Sequence, residues 1–354
     1  MRKNIFCIVM VLVLGLTGCS ERDADYVEPE DDSAVSQIQI EADLAGAYSG
    51  EKCMIYEGRA WNPSEEDKVL KAFFKDCKKK DYTREEQGNK TVLYYERKDQ
   101  QGTSMSIYRE NAPYYSCGIA FGTRELEKFS DLGEKVDKKT DAYFAYGGAP
   151  DSGWEKIDIS KEEAIVKELA DQVEMPYYEP GYAVSSKKDT VVEIFWHQKI
   201  GEIPMCQIAI NEHAVNVAGR KTYNESLDVS GISDQKFGYL TTSFWNGRLI
   251  NWFNFDALTD LKPYKEKAVV PVEQAYKKAA AQMVQDVDSS AKGIQLVKAA
   301  LEYKVVGRDG KYYTYPVWNC IFHADLPKGY DDHYAYLVDA CTGEFFNSID
   351  AAFE

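Results

Sequence analysis

The sequence predicts an α+β fold, with helices packed on antiparallel sheets in two to three small tandem domains. Three observations predict it. A helical pattern followed by strand-like runs occurs three times. The dipeptide Asn246-Gly247 joins two apolar, aromatic runs, which is the signature of a two-residue hairpin turn with positive φ at both positions. The segment after residue 41 is about three hundred residues long, enough for more than one small core. The expected divisions are residues 42–153, 154–265 and 266–354.

The first helix is expected from Asn62-Pro63-Ser64, with Ser64 as N-cap. Val69, Leu70, Phe73, Phe74 and Cys77 share one face, and Lys78 to Lys80 suit the negative end of the helix dipole. Thr91–Arg97, Ser104–Arg109 and Tyr114–Phe121 follow as strands, with turn chemistry over Asp99–Gly102. Residues 123–153 turn polar and include Gly147-Gly148-Ala149-Pro150, the reading of a boundary.

The second helix begins at Ser160, where Ser160 and Glu163 have capping-box spacing. Ile165, Leu169 and Val173 form its buried stripe, and Pro176 ends it. Strands follow over Thr190–Gln198 and Ile203–Asn211, then the Asn246-Gly247 hairpin. The third helix starts after Pro271, with Val272, Ala275, Tyr276, Ala279 and Met283 inside. Ile294–Val306, Tyr312–Phe322 and His333–Asp339 are the last three strands.

The N-terminus carries a different kind of signal. Met1–Asn4 is short and basic, and Ile5–Leu16 is almost wholly apolar, as in a secretory leader. The run Leu16-Thr17-Gly18-Cys19 resembles a bacterial lipoprotein signal. That resemblance implies cleavage before Cys19 and acylation of Cys19; the alternative is an ordinary leader with a chance cysteine. Two or more acyl chains hold a protein stably on a membrane. Residues 1–18 are thus the signal peptide and 19–41 an acidic tether, reaching about 70 Å when extended. The expected location is the extracytoplasmic face of the cell membrane, lipid-anchored.

The formal net charge is −16, and loss of Arg2 and Lys3 with the leader makes it two units more negative. Such a chain is unsuited to nucleic acid. Beyond Cys7 and Cys19 it has Cys53, Cys77, Cys117, Cys206, Cys320 and Cys341. An even number in an exported protein reads first as disulfides. Cys320 with Cys341, and Cys53 with Cys77, are the candidate pairs, because each pair brackets a short segment.

The third helix, the long strands, "YPVWNC" at 315–320 and the ending "YLVDACTGE" resemble the last part of a PepSY-type domain. Tyr336, Val338, Asp339, Ala340, Thr342, Gly343 and Glu344 carry the match. Over 160–354, "GEIPM" at 201–205, the Trp-rich hairpin and the helix after Pro271 add to it. The arrangement is similar to the tandem domains of the YycH and YycI proteins, extracytoplasmic regulators of a sensor kinase. The resemblance implies a binding or regulatory role. It departs from that family in its lipid anchor, since those regulators act through a transmembrane helix.

Motif chemistry is sparse. No nucleophile elbow, P-loop, His-Glu-x-x-His or dinucleotide fingerprint is present. Cys320, His323, His333 and Cys341 have zinc-ligand types, but an odd separation sends Cys320 and His323 to opposite faces of a strand. No metal, cofactor or catalytic residue is therefore assigned. The acidic pairs read as a solvated face, and Phe244, Trp245, Trp252, Phe253 and Phe255 as core or as a platform. Tyr177, Tyr178 and Tyr182, beside Pro176 and Pro180, read as an exposed recognition loop and are the candidate binding residues. Asp339 reads as a turn-locking acceptor, with Gly343 supplying an unusual backbone angle. The expected function is non-enzymatic binding or regulation towards a membrane protein or peptide. An envelope hydrolase or hydrolase inhibitor, and a solute-binding lipoprotein, are the alternatives.

Overall fold

A computed structural model describes residues 37–42, 44, 48–63, 65–75, 77–87, 91–109, 117–128, 141–145, 157–176, 178–186, 190–206, 238–287, 291–308, 311–325 and 333–346. Cys19 and the leader lie outside the described residues. Among the described residues no helix is long and apolar enough to cross a membrane.

The protein is mostly β. In chain order the strands are β1 (Ile38–Ile40), β2 (Lys52–Ala60), β3 (Tyr82–Gln87), β4 (Val92–Arg97), β5 (Ser104–Tyr108), β6 (Gly118–Gly122), β7 (Asp141–Ala145) and β8 (Tyr178–Ser186). Then come β9 (Val191–Ile200), β10 (Ile203–Pro204), β11 (Tyr239–Trp245), β12 (Arg248–Phe255), β13 (Leu258–Ala268), β14 (Ile294–Arg308), β15 (Lys311–Ala324) and β16 (His333–Asp339). The described α-helices are α1 (Glu66–Phe73), α2 (Ser160–Gln172) and α3 (Val272–Asp286). The three expected helices and most of the expected strands are present, though of Ile203–Asn211 only β10 lies among the described residues, and helices are few while the sheets dominate.

The described strands form two sheets. The larger runs β3-β4-β5-β6-β12-β11-β9-β8-β7, with β10 on β9. The smaller runs β1-β14-β15-β2-β13, with β16 on β15. All these pairings are antiparallel except β1 on β14. Both sheets draw strands from more than one of the expected divisions. β6 pairs with β12, and β2 pairs with β13 and β15.

The helices cover one face of each sheet. Val69 and Leu70 of α1 join Val166, Leu169 and Ala170 of α2 over Leu93, Ile119, Trp196, Leu240 and Trp252. The small residues Ala275, Ala279 and Ala280 let α3 settle closely on Leu301, Trp318, Phe322 and Tyr336. A third cluster, with Ile55, Val306, Tyr315, Val317 and Leu337, packs apart from the α3 core. Period-2 alternation sorts these residues: along β15 the even positions 318, 320 and 322 go to α3, and the odd positions 313, 315 and 317 go the other way.

Several local expectations hold. Asn246 and Gly247 have φ of 51° and 70°, as the hairpin turn requires. α2 begins at Ser160. Others are corrected. The capping box at Ser160 and Glu163 does not form; Ile159 holds the N-cap position, and the Asp158 carboxylate accepts the Ser160 N–H at 3.0 Å. α1 ends at Phe73, because Phe74 leaves helical angles to bury its ring against Tyr82 and Phe121. Lys78 to Lys80 therefore lie beyond the helix, leading into a short 3-10 turn. β1 lies within the last residues of the expected tether, where pairing with β14 orders them, β7 lies within the expected boundary region, and β2, β3, β8 and β13 are strands that the sequence pattern does not mark.

Candidate functional site

The exit of α2 builds a small pocket. Glu174 takes a positive φ of 53°, and the Met175 N–H returns to the Ala170 carbonyl at 2.9 Å, which closes the helix before Pro176. The chain then enters β8 at Tyr178, beside β9. A cavity of 60 Å³ results, lined by Glu163, Val166, Lys167, Ala170, Asp171, Met175, Tyr178 and Trp196. Its floor is apolar and aromatic. Its rim is the stripe Glu163, Lys167 and Asp171, whose spacing of four aligns them on one side of α2.

Each wall is held in place. The Trp196 indole N–H donates to Thr242 Oγ1 at 2.8 Å. Beside Tyr178 in the ladder, Gln198 is locked by two bonds to the Leu258 backbone, at 2.7 and 2.8 Å. Tyr178 itself is 4% exposed, and its hydroxyl has no hydrogen-bond partner. A buried hydroxyl left unmatched costs about 1–3 kcal/mol. Burial drives its phenol pKa up, and the negative charge of Asp256 adds to this, so the group stays neutral.

This corrects the expected recognition loop. Tyr178 is not on a loop; it opens β8 and belongs to the α2-side core. Tyr182 lies in the same strand, opposite Phe195. Tyr177 lies outside the described residues. The reason is pairing: β8 makes a full ladder with β9, and Pro180 is absorbed where the register shifts between Pro180 and Tyr182. Glu179, the next residue, points to the opposite sheet face. Its carboxylate meets His197 Nε2 at 2.9 Å and Lys199 Nζ at 3.3 Å. Burial pushes the Glu179 carboxyl up, but His197 and Lys199 outweigh it and hold it below the ordinary range.

The other sequence-marked residues are dispersed. Phe244 and Trp252 are core, whereas Trp245 and Phe253 are half-buried, because alternation splits the aromatic run between two faces. Cys53, Cys320 and Cys341 are thiols in this structure. Cys320 faces Tyr336 across the β15–β16 ladder, and burial pushes its thiol up to about 12. Cys341 follows β16, and burial is the main cause that raises its thiol to about 11. Cys53 lies 3.2 Å from the Tyr303 hydroxyl in the α3 core, while Cys77 packs against the α1–α2 core. His323 and His333 are cross-strand partners, yet among the described residues no three His, Cys, Asp or Glu side chains converge to hold a metal ion.

Asp339 performs the role expected of it. Its Oδ1 accepts the N–H groups of Cys341 at 2.7 Å and Thr342 at 3.1 Å, and the Tyr315 hydroxyl donates to the carboxylate at 3.0 Å. Gly343 has φ of 79° and donates to the Asp339 carbonyl at 2.9 Å. Asp339→Asn keeps the shape but weakens three bonds to a charged acceptor. It should cost about 1.5–3 kcal/mol, read as a lower urea midpoint, with partner binding unchanged after correction for folded fraction. Unchanged stability with lost binding would refute the scaffold role.

No known protein family matches the chain, and no curated protein matches it. A solved structure does: the crystal structure of an uncharacterized protein from Eubacterium rectale at 1.45 Å resolution. It is similar with a TM-score of 0.56 at 14% identity, over 88% of this chain and 90% of that one. At that identity the likeness concerns the fold, two antiparallel-rich sheets with few helices, and carries no function.

Proposed function

We propose that the chain is a lipid-anchored protein of the extracytoplasmic membrane face, with a non-enzymatic binding or regulatory role towards a membrane protein or peptide. The lipoprotein-like signal at Leu16–Cys19, the acidic tether and the PepSY-like ending support the anchor and the class. The observation that carries binding is the pocket at the exit of α2, with apolar and aromatic walls and the charged side chains of Glu163, Lys167 and Asp171 at its rim.

Two experiments test the reading. Cys19→Ala should leave unprocessed precursor or release the protein from membranes; normal processing and retention would refute the anchor. A photo-reactive amino acid at position 167, on the pocket rim, should cross-link a partner in intact cells. An identical residue at position 85, on the exposed edge strand β3, should not. Equal labelling from both positions, or none from 167, would refute the site.

A further inference from the structure

We infer that Asn246 is a site of spontaneous deamidation, gated by its hairpin turn with the Thr190 hydroxyl as the latch. The chemistry needs an asparagine whose following amide nitrogen can reach the side-chain carboxamide. Glycine in the following position obstructs this least, because it has no side chain. Asn246-Gly247 is the one Asn-Gly in the chain. Both residues are exposed, and nothing lies within 4 Å of where a Gly247 Cβ would stand. Among the other described asparagines, Asn62 precedes Pro63, which has no amide proton. Asn251, Asn254 and Asn319 are held within the ladders of β12 and β15. The reaction balances with water alone. The Gly247 nitrogen gives its proton to solvent base and bonds to Asn246 Cγ. The Cγ–Nδ2 bond breaks, and that nitrogen leaves as ammonia with a proton from water. Water then opens the five-membered imide at either carbonyl, giving aspartate or isoaspartate.

The turn opposes the first step. With φ of 51° and 70° it is the mirror image of a type I turn, which sets ψ at Asn246 near about +30°. At that ψ the Gly247 nitrogen lies on the side of Cα opposite to Cβ. It cannot reach Cγ until the turn opens. Two bonds to Thr190 hold the turn shut. The Thr190 hydroxyl donates to Asn246 Oδ1 at 2.6 Å, and the Asn246 N–H donates to the Thr190 carbonyl at 3.0 Å. They tie the β11–β12 turn to the start of β9, the neighbouring strand. The site is therefore reached by a local opening at the ends of these strands. The two products differ in effect. Aspartate before Gly247 suits the same turn. Isoaspartate lengthens the backbone by one carbon, which a two-residue turn in fixed register does not absorb. It would loosen the hairpin in the middle of the larger sheet.

The test follows full-length protein between pH 7 and 9 by peptide mapping that resolves asparagine, aspartate and isoaspartate at position 246. In guanidinium chloride, where the turn is lost, Asn246 should convert before every other asparagine, at a rate that rises steeply with pH. In the folded protein its conversion should be at least tenfold slower. Thr190→Ala should raise the folded rate several-fold. Thr190→Ser, which keeps the hydroxyl, should leave it near the original. Asp339→Asn, which weakens the smaller sheet, should also leave it unchanged, because the gate is local. First conversion at another asparagine in guanidinium chloride would overturn the site. Equal rates in folded and unfolded protein would overturn the gate, and so would acceleration by Asp339→Asn as large as that by Thr190→Ala. Equal rates for Thr190→Ala and Thr190→Ser would overturn the latch.

Discussion

Trp318→Ala should lower stability by about 3–5 kcal/mol, the range for deleting a buried aromatic ring. Trp318 is fully buried beneath α3, between Leu301 on β14 and Val338 on β16. Its indole N–H donates to the Val270 carbonyl at 3.0 Å, next to the start of α3. The substitution opens a cavity where three elements meet and strands that carbonyl. Urea unfolding should show a lower midpoint with an unchanged slope. A loss below about 1 kcal/mol would mean that α3 collapses into the space, against the close packing described for its alanines.

Lys298→Met should be the most informative charge substitution. Glu302 is 4% exposed on its side chain, while Lys298 is 39% exposed and reaches over to it. Burial pushes the Glu302 carboxyl up, but Lys298, Asn319 and Cys206 outweigh burial and hold it low. A lowered folded pKa stabilises the fold above the unfolded value of about 4.3. That contribution is lost as pH falls through the folded pKa. In Lys298→Met the ammonium is gone and burial prevails, so the folded pKa rises. The variant should lose about 2 kcal/mol at neutral pH, below the 3–5 kcal/mol of a fully buried pair because Lys298 is partly solvated. Its deficit should shrink as pH falls towards 5. A deficit that stays constant between pH 7 and 5 would refute this account.

Legibility in the sequence followed the locality of the cause. The turn at Asn246-Gly247, the start of α2 and the Asp339 turn are set by residues within four positions of one another, and all three were readable. β3 was hidden because "YTREEQ" is an exposed edge strand, whose charges discourage further pairing and erase alternation. β13 was hidden because register shifts at Thr259/Lys262 and Pro263/Lys265 break its period of two. β8 was hidden by Pro180. The pocket had no local signal at all: Ala170, Met175 and Trp196 meet only when α2 docks on the ladder of β8 and β9.

The smaller sheet has a temporal consequence. Its strands β1 and β2 come from the first sixty residues, while their partners begin at residue 258 and end at 324. A chain synthesised from its N-terminus must hold Ile38 and Cys53 unburied until nearly all of it has emerged. Long sequence separation between partners slows folding and prolongs the exposure of apolar segments. The acidic stretch between residues 21 and 37 precedes those waiting strands, and its like charges repel those of neighbouring nascent chains. Neutralising that stretch should therefore lower the yield of folded protein more than the stability of what has folded.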